Sequence, residues 1–366
     1  MATAHPVDPV APADILARLP GHWKAAKESG DLIFFESSTR YVGDRQKVAV
    51  TICPALGAKM ADIMPPAPEP EAKRVRTDAP ERPSPFRPPY VAGLYVGCVP
   101  GIDGEETMSV LLNKFAVLPE HFLLCPVSEQ PQNVPPTPAQ LARVYSILQA
   151  GLRSSPPRRL FAFYNGGPGA GASQRWRHVQ FIDGPAPVEE WMHGVTFERN
   201  DRAIIHPDLP YLHIVHPLPP VSRLPYPPSE DDLVNLADEL APALMRSLDL
   251  AFDALRRSGG DRSQGWNLLL TTEHLHLIPR SAPQYPLAEG LPPLDLNALG
   301  YAGMLLVKSK EEDAALDAVA ANTEGGIIGI LGKCAIPREF GEQALQAEAT
   351  QHGGAGSLDV EPKAKM

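Results

Sequence analysis

A single histidine, His178, closes a glycine-rich stretch, YNGGPGAGASQRWRHVQFID, that runs from Tyr164 to Asp183. An imidazole nitrogen can attack phosphorus and leave a phosphoramidate. Gln180, two residues on, shares one side of an extended chain with it and can donate to a phosphate oxygen. Gly166, Gly167, Gly169 and Gly171 let the backbone come close and take positive φ, so that successive N–H groups converge on an anion. Ser173 adds a hydroxyl, and Arg175 and Arg177 add charge. The stretch is not a Walker A loop, because no lysine follows a final glycine, and its glycine spacing is not that of a dinucleotide fingerprint. On glycine content alone, a tight turn between two strands is the simpler reading. The adjoining histidine turns the reading toward phosphate chemistry.

Such a site needs strands to hold it. LFAFY (160–164) enters the loop and HVQFI (178–182) leaves it. Further strand-like runs are LIFFES (32–37), VAVTI (48–52), MSVLL (108–112), HFLLC (121–125), LHIVH (212–216), NLLLT (267–271), LHLI (275–278) and MLLV (304–307). One helix is well marked: Thr137 as N-cap, Pro138 at the first position and Gln140 to close a capping box, followed by an apolar stripe of Leu141, Val144, Tyr145, Leu148 and Leu152. A second is expected from Ser229 to Arg257, kinked at Pro242. Many strands and few helices give an α+β chain.

Composition narrows the function. The 366 residues carry a net charge of −10, which argues against nonspecific nucleic-acid binding. No apolar run is long enough to span a bilayer and no signal-peptide pattern is present, so a cytoplasmic location without membrane contact is expected. Cys53, Cys98, Cys125 and Cys334 are isolated within or beside apolar runs and are expected as buried free thiols. Residues 61–89 are proline-rich, lack periodicity and are expected to form a disordered insertion. The KRVR within them leaves a nuclear address open, although a solvated charge run is the simpler reading. The polar segment 343–366 is expected to be a disordered tail.

GASQ-x-x-x-HVQ resembles the fungal diadenosine tetraphosphate phosphorylases, or ATP adenylyltransferases, of the histidine-triad and galactose-1-phosphate uridylyltransferase superfamily. In that family YNSGPxSGxSQ is followed by HKHxQ, whose second histidine is the nucleophile. CPALGAK, LLNKFAVLPEHFLL, NLLLTTEHLHLIPRS and LNALGYAGMLLVK are similar to further family segments, in family order. The resemblance implies a histidine-triad-like antiparallel sheet with flanking helices, in two pseudo-related halves. It implies a catalytic domain over 1–60 and 90–218 and an ATP adenylyltransferase domain over 219–342. It makes His178 the nucleophile and assigns substrate binding to Lys59, Asn113, Lys114, Asn165, Gly171, Ala172, Ser173, Gln174, Gln180, Asn297, Ala298, Leu299, Met304 and Lys308.

The implied reaction is cleavage of diadenosine tetraphosphate by inorganic phosphate to ATP and ADP through an AMP-histidine intermediate. Magnesium or manganese would enter mainly on the substrate phosphates, with no dedicated protein metal site, and the chain would act as a monomer. One position departs from the family: the first histidine of HKH is Trp176. That departure keeps two alternatives open, a dinucleotide binder with weakened turnover and a hydrolase that uses water. His274 and His276, in EHLHLI, also look like a histidine-triad fragment. No glycine loop adjoins them, and they read as structural. His213 and His216 are poorly spaced as ligands on one strand face, and His121 reads as architectural.

Overall fold

The computed structural model describes residues 2–57 and 84–353. Most of the expected insertion and the end of the tail, together with Lys59, lie outside the described residues.

Nine antiparallel strands form the central sheet: β1 (Tyr95–Val99), β2 (Met108–Leu112), β3 (Phe122–Pro126), β4 (Leu160–Gly166), β5 (Val179–Asp183), β6 (Ile204–Ile205), β7 (Ile214–Pro217), β8 (Trp266–Leu270) and β9 (His274–Pro279). Their order across the sheet is β6-β7-β9-β8-β4-β5-β3-β2-β1. β4 is central. Phe163 pairs with Gln180 of β5 on one side and with Leu269 of β8 on the other.

The flanking helices are α1 (Pro12–Ser29), α2 (Pro138–Arg153), α3 (Pro187–Trp191), α4 (Glu230–Arg257), α5 (Ala298–Tyr301), α6 (Lys310–Ala321), α7 (Gly326–Lys333) and α8 (Arg338–Gly353). α2 starts with the capping box of Thr137 and Gln140. α4 is one continuous helix with Pro242 inside it, as expected in extent. α1 begins after Ala11, which makes no side-chain cap, and carries Pro20 inside; its stripe of Ile15, Leu16, Leu19, Trp23 and Ala26 is buried. α8 corrects the expected tail. Residues 343–353 are helical, and Ala344 is 2% exposed, because this turn of helix packs on the core beside α4. LIFFES is also shorter than expected, with only Ile33–Phe34 paired as a strand.

Alternation along the strands separates the two faces of the sheet. Leu160, Ala162, Tyr164, Val179 and Phe181 face a core shared with α1, α2 and α4. Phe161, Phe163, Ile182 and Leu269 face a second core. A small sheet supplies part of that core: Met304–Val307 pairs in parallel with Val48–Ile52, which pairs in turn with Ser38–Val42. On the same face, at the β1–β3 end, Phe86, Tyr90, Tyr95, Cys98, Leu111, Leu123, Cys125 and Trp176 form a third cluster. His178 and Gln180 lie on this face, away from the long helices. The four cysteines are free and buried. Among the described residues no single helix is long and apolar enough to cross a membrane.

Candidate active site

β5 begins at Val179, so His178 sits at the mouth of the strand and is held by its backbone. Its N–H donates to Gln132 Oε1 at 2.8 Å, and the Gln132 amide donates to Asn165 O at 2.9 Å. Tyr164 Oη in turn donates to the carbonyls of Gln132 and Val134. The ring is fixed as well. His178 Nδ1 lies 2.8 Å from Trp176 O, which can only accept, so Nδ1 carries the proton and Nε2 keeps its lone pair. Burial lowers the His178 pKa to about 4, against a smaller opposing effect of the Trp176 carbonyl. The imidazole is therefore neutral near pH 7. The Phe86 ring stands 5.0 Å from it, and His178 is only 3% exposed.

Trp176 supports His178 through its carbonyl, not its side chain. The indole is buried in the third cluster and donates to Pro126 O at 3.0 Å. Arg177 is corrected from the sequence reading. It alternates to the opposite side, is 4% exposed, and its guanidinium bonds Gln130 and Gln140 Oε1 and the carbonyls of Pro131 and Val134.

The glycine loop is also corrected in part. Gly167 and Gly171 take positive φ, whereas Gly166 and Gly169 do not. Gly166 is needed for room, since a Cβ there would lie 2.4 Å from the Trp266 ring. At Gly171 (φ +88°) a Cβ would lie 2.7 Å from Asn297 Cβ, so the loop is pressed onto the segment that starts α5. The N–H groups of Gly167, Ala170, Gly171 and Ala172 bond within the loop. The part of the loop left to meet an anion is Ser173 and Gln174, with Ser173 exposed.

The remaining expected residues fall into two groups. Asn165, Asn297 and Ala298 meet beside the loop: Asn165 Oδ1 accepts from Asn267 Nδ2 and from Ala298 N, both at 2.9 Å, and Asn297 caps α5 through Leu299 N. Leu299 and Met304 pack against the second core. Lys308 Nζ pairs with Asp295, and a Cβ at Gly57 would lie 3.0 Å from Lys308 O. The chain thus passes Lys308 two residues before Lys59. The second group lies on the other side of His178. Asn113 Nδ2 reaches His121 Nδ1 at 3.0 Å, and His121 Nε2 reaches Gln180 Oε1 at 3.0 Å. Lys114 Nζ lies 5.5 Å from the Phe115 ring centre.

Gln132 and Phe86 are the residues that sequence reasoning missed here. Among the described residues, the one group of three His, Cys, Asp or Glu side chains with converging ligand atoms is Glu189, His274 and His276, away from His178.

The Ap4A phosphorylase N-terminal domain matches residues 10–196, and the ATP adenylyltransferase C-terminal domain matches residues 207–337. The chain belongs to the Ap4A phosphorylase family. Two Saccharomyces cerevisiae proteins are similar within it. Protein APA1 is 27% identical over 309 residues, 82% of this chain and 88% of its own length. Diadenosine 5',5'''-P1,P4-tetraphosphate phosphorylase 2 is 28% identical over 307 residues, 79% and 85%. Among solved structures, yeast Ap4A phosphorylase Apa2 in complex with Ap4A superposes with a TM-score of 0.63 at 25% identity, covering 88% of this chain and 97% of that one. Apa2 without a stated ligand gives 0.64 at 25% identity, covering 88% and 94%. The two family domains meet inside one sheet, along the β4–β8 pairing.

Proposed function

We propose that this chain is a nucleotidyltransferase that cleaves diadenosine tetraphosphate with inorganic phosphate, giving ATP and ADP. The observation that carries this reading is the His178 ring: neutral, with its Nδ1 proton bound to Trp176 O and its Nε2 lone pair open. Nε2 attacks the α-phosphorus of one adenylyl group. The new P–N bond forms as the bond to the bridging oxygen of the β-phosphate breaks, and ATP leaves. An oxygen of inorganic phosphate then attacks the same phosphorus, the P–N bond breaks, and ADP leaves.

Gln180 and Ser173 would donate to the oxygens that gain charge, as positioned donors do in phosphoryl transfer. Lys59 is proposed to add charge, on the strength of the family pattern. Asn297, Ala298, Leu299 and Met304 are proposed to lie at the nucleoside, on the strength of the family pattern. Magnesium or manganese is proposed to enter on the polyphosphate and offset its charge. Action as a monomer in the cytoplasm remains part of the proposal.

The test follows labelled inorganic phosphate in the presence of diadenosine tetraphosphate. Label in ADP, with ATP as the other product, supports phosphorolysis. Unlabelled AMP would mean that water resolves the intermediate, and no product would mean a binder.

A further inference from the structure

Resting on that functional reading, we propose that His121 is a positioning residue, locked by Asn113, that turns the Gln180 carboxamide so its NH2 group faces the substrate phosphate. The direction of this hydrogen-bond chain follows from its first link. Asn113 Nδ2 lies within hydrogen-bond distance of Phe115 O, 3.4 Å, and a carbonyl can only accept. The Asn113 atom that meets His121 Nδ1 at 3.0 Å is therefore the amide nitrogen, a donor. His121 Nδ1 must accept, so its proton is on Nε2. Nε2–H then donates across 3.0 Å to Gln180 Oε1. With its oxygen held toward His121, Gln180 presents its two N–H donors on the other side.

The setting keeps this polarity. His121 is 7% exposed, its ring lies 5.9 Å from Phe163, and burial lowers its pKa to about 4, so it stays in one neutral tautomer. Gln180 sits in register between Leu123 of β3 and Phe163 of β4, which fixes its backbone. Without His121 the carboxamide could rotate and turn its oxygen toward the phosphate, replacing attraction with repulsion. The NH2 group of Asn113 is thereby committed to His121 and Phe115 O and is not free to donate to a nucleotide.

A double-mutant cycle on the full chain, with diadenosine tetraphosphate and phosphate as substrates, tests the chain of bonds. His121→Phe keeps the ring and removes Nε2–H. Gln180→Ala removes the donor itself. Each should lower kcat about 10²-fold with KM within about threefold, the scale of losing one oxyanion donor. The double variant should also lose about 10²-fold, because His121 acts only through Gln180. His121→Gln places a donor near the old Nε2 and should recover turnover to within about tenfold of wild type. Losses that multiply to about 10⁴-fold, or a His121→Gln variant as slow as His121→Phe, overturn the proposal. If wild type makes no ADP from these substrates, the functional reading itself falls. If wild type turns over and the losses multiply, the phosphorolysis reading stands and His121 is only structural.

Discussion

One face of the sheet carries two histidine groups, and their surroundings are opposite in kind. His276 pairs across β8 with Leu269, Leu269 with Phe163 of β4, and Phe163 with Gln180 of β5. The two groups are therefore three strands apart, roughly 14 Å at the usual strand spacing. At the β9 end, the Glu189 carboxylate accepts from Thr271 Oγ1 at 2.5 Å, His274 Nδ1 at 2.6 Å and His276 Nε2 at 3.3 Å. His276 Nδ1 meets His213 Nε2 at 3.0 Å. Burial alone would raise the Glu189 carboxyl. The hydrogen bonds from His274 and His276 outweigh burial and hold the group well below the usual carboxylate range. At the β5 end, among the described residues, neither His178 nor His121 bonds a carboxylate; they are tied to carbonyls and amides. Both ends bury histidines, so burial does not distinguish them. A carboxylate consumes the donors around it and makes a strut. Where there is none, a neutral ring keeps a lone pair.

The largest effects should come from exchanging these roles. His178→Ala is expected to fold and to lose at least about 10³-fold in turnover, a barrier rise near 4 kcal/mol. His276→Ala should do the reverse. It leaves a buried carboxylate short of one donor, costing about 2 kcal/mol of stability, while turnover per folded molecule stays within about threefold. Urea unfolding and product formation, measured on both variants, check the pair. A His276→Ala variant that is stable but slow would break the comparison.

Acid comes next and should weaken both ends, since burial also lowers His213 and His276 at the β9 end. His178 and His121 have folded pKa values near 4, against about 6.5 when unfolded. Between those values the unfolded chain binds more protons, so their contribution is whole above about pH 6.5 and is lost as pH falls toward 4. Each is worth roughly 2–3 kcal/mol across that window. Glu189, held low, keeps its contribution above the unfolded carboxylate value and gives it up only in stronger acid. Wild type should thus weaken from pH 6.5 to 4, and the slope should be shallower in His178→Ala. An unchanged slope would count against the buried neutral ring.

Trp176→Phe should cost about 1 kcal/mol through the lost bond to Pro126 O, with turnover within about tenfold, because His178 is held by a backbone carbonyl that any residue supplies. A deeper loss of rate would give the indole a direct part in the site. The smallest effect is expected from Phe86→Ala. Opening His178 to water should move the acid limb of kcat/KM upward, since burial is what lowers its pKa. An unmoved limb would show that Phe86 is not what shields the ring.

The central strands and the loop that leads to His178 were legible because their signals are local. LFAFY, HVQFI and NLLLT are short apolar runs, and the glycine loop with its histidine is continuous in sequence. α1 was missed because it lacks a polar N-cap and contains Pro20, so its apolar stripe had no punctuation. Arg177 was misread from its charge, although strand alternation already set it opposite His178 and Gln180. Gln132 was not legible: it lies in the loop QPQNVPP, with no period, and its partner is the backbone of a residue 46 positions away. Phe86 was hidden for a related reason, since it lies in a proline-rich stretch read as structureless, yet residues 84–89 are described and reach the site. The His121–Gln180 bond spans 59 positions and is visible only once β3 and β5 are paired.

β4 gives one edge to β5, which follows His178, and its other edge to β8, from much later in the chain. The portion of the polypeptide that holds His178, Gln180 and His121 therefore ends in an open seam at Ala162–Gly166 until Trp266–Leu270 has been synthesised and laid against it. On a ribosome that seam is an exposed, apolar strand edge, the kind that recruits other chains. Covering that seam should therefore fall to the second domain, and a premature stop before residue 266 should yield aggregate in place of a smaller folded protein.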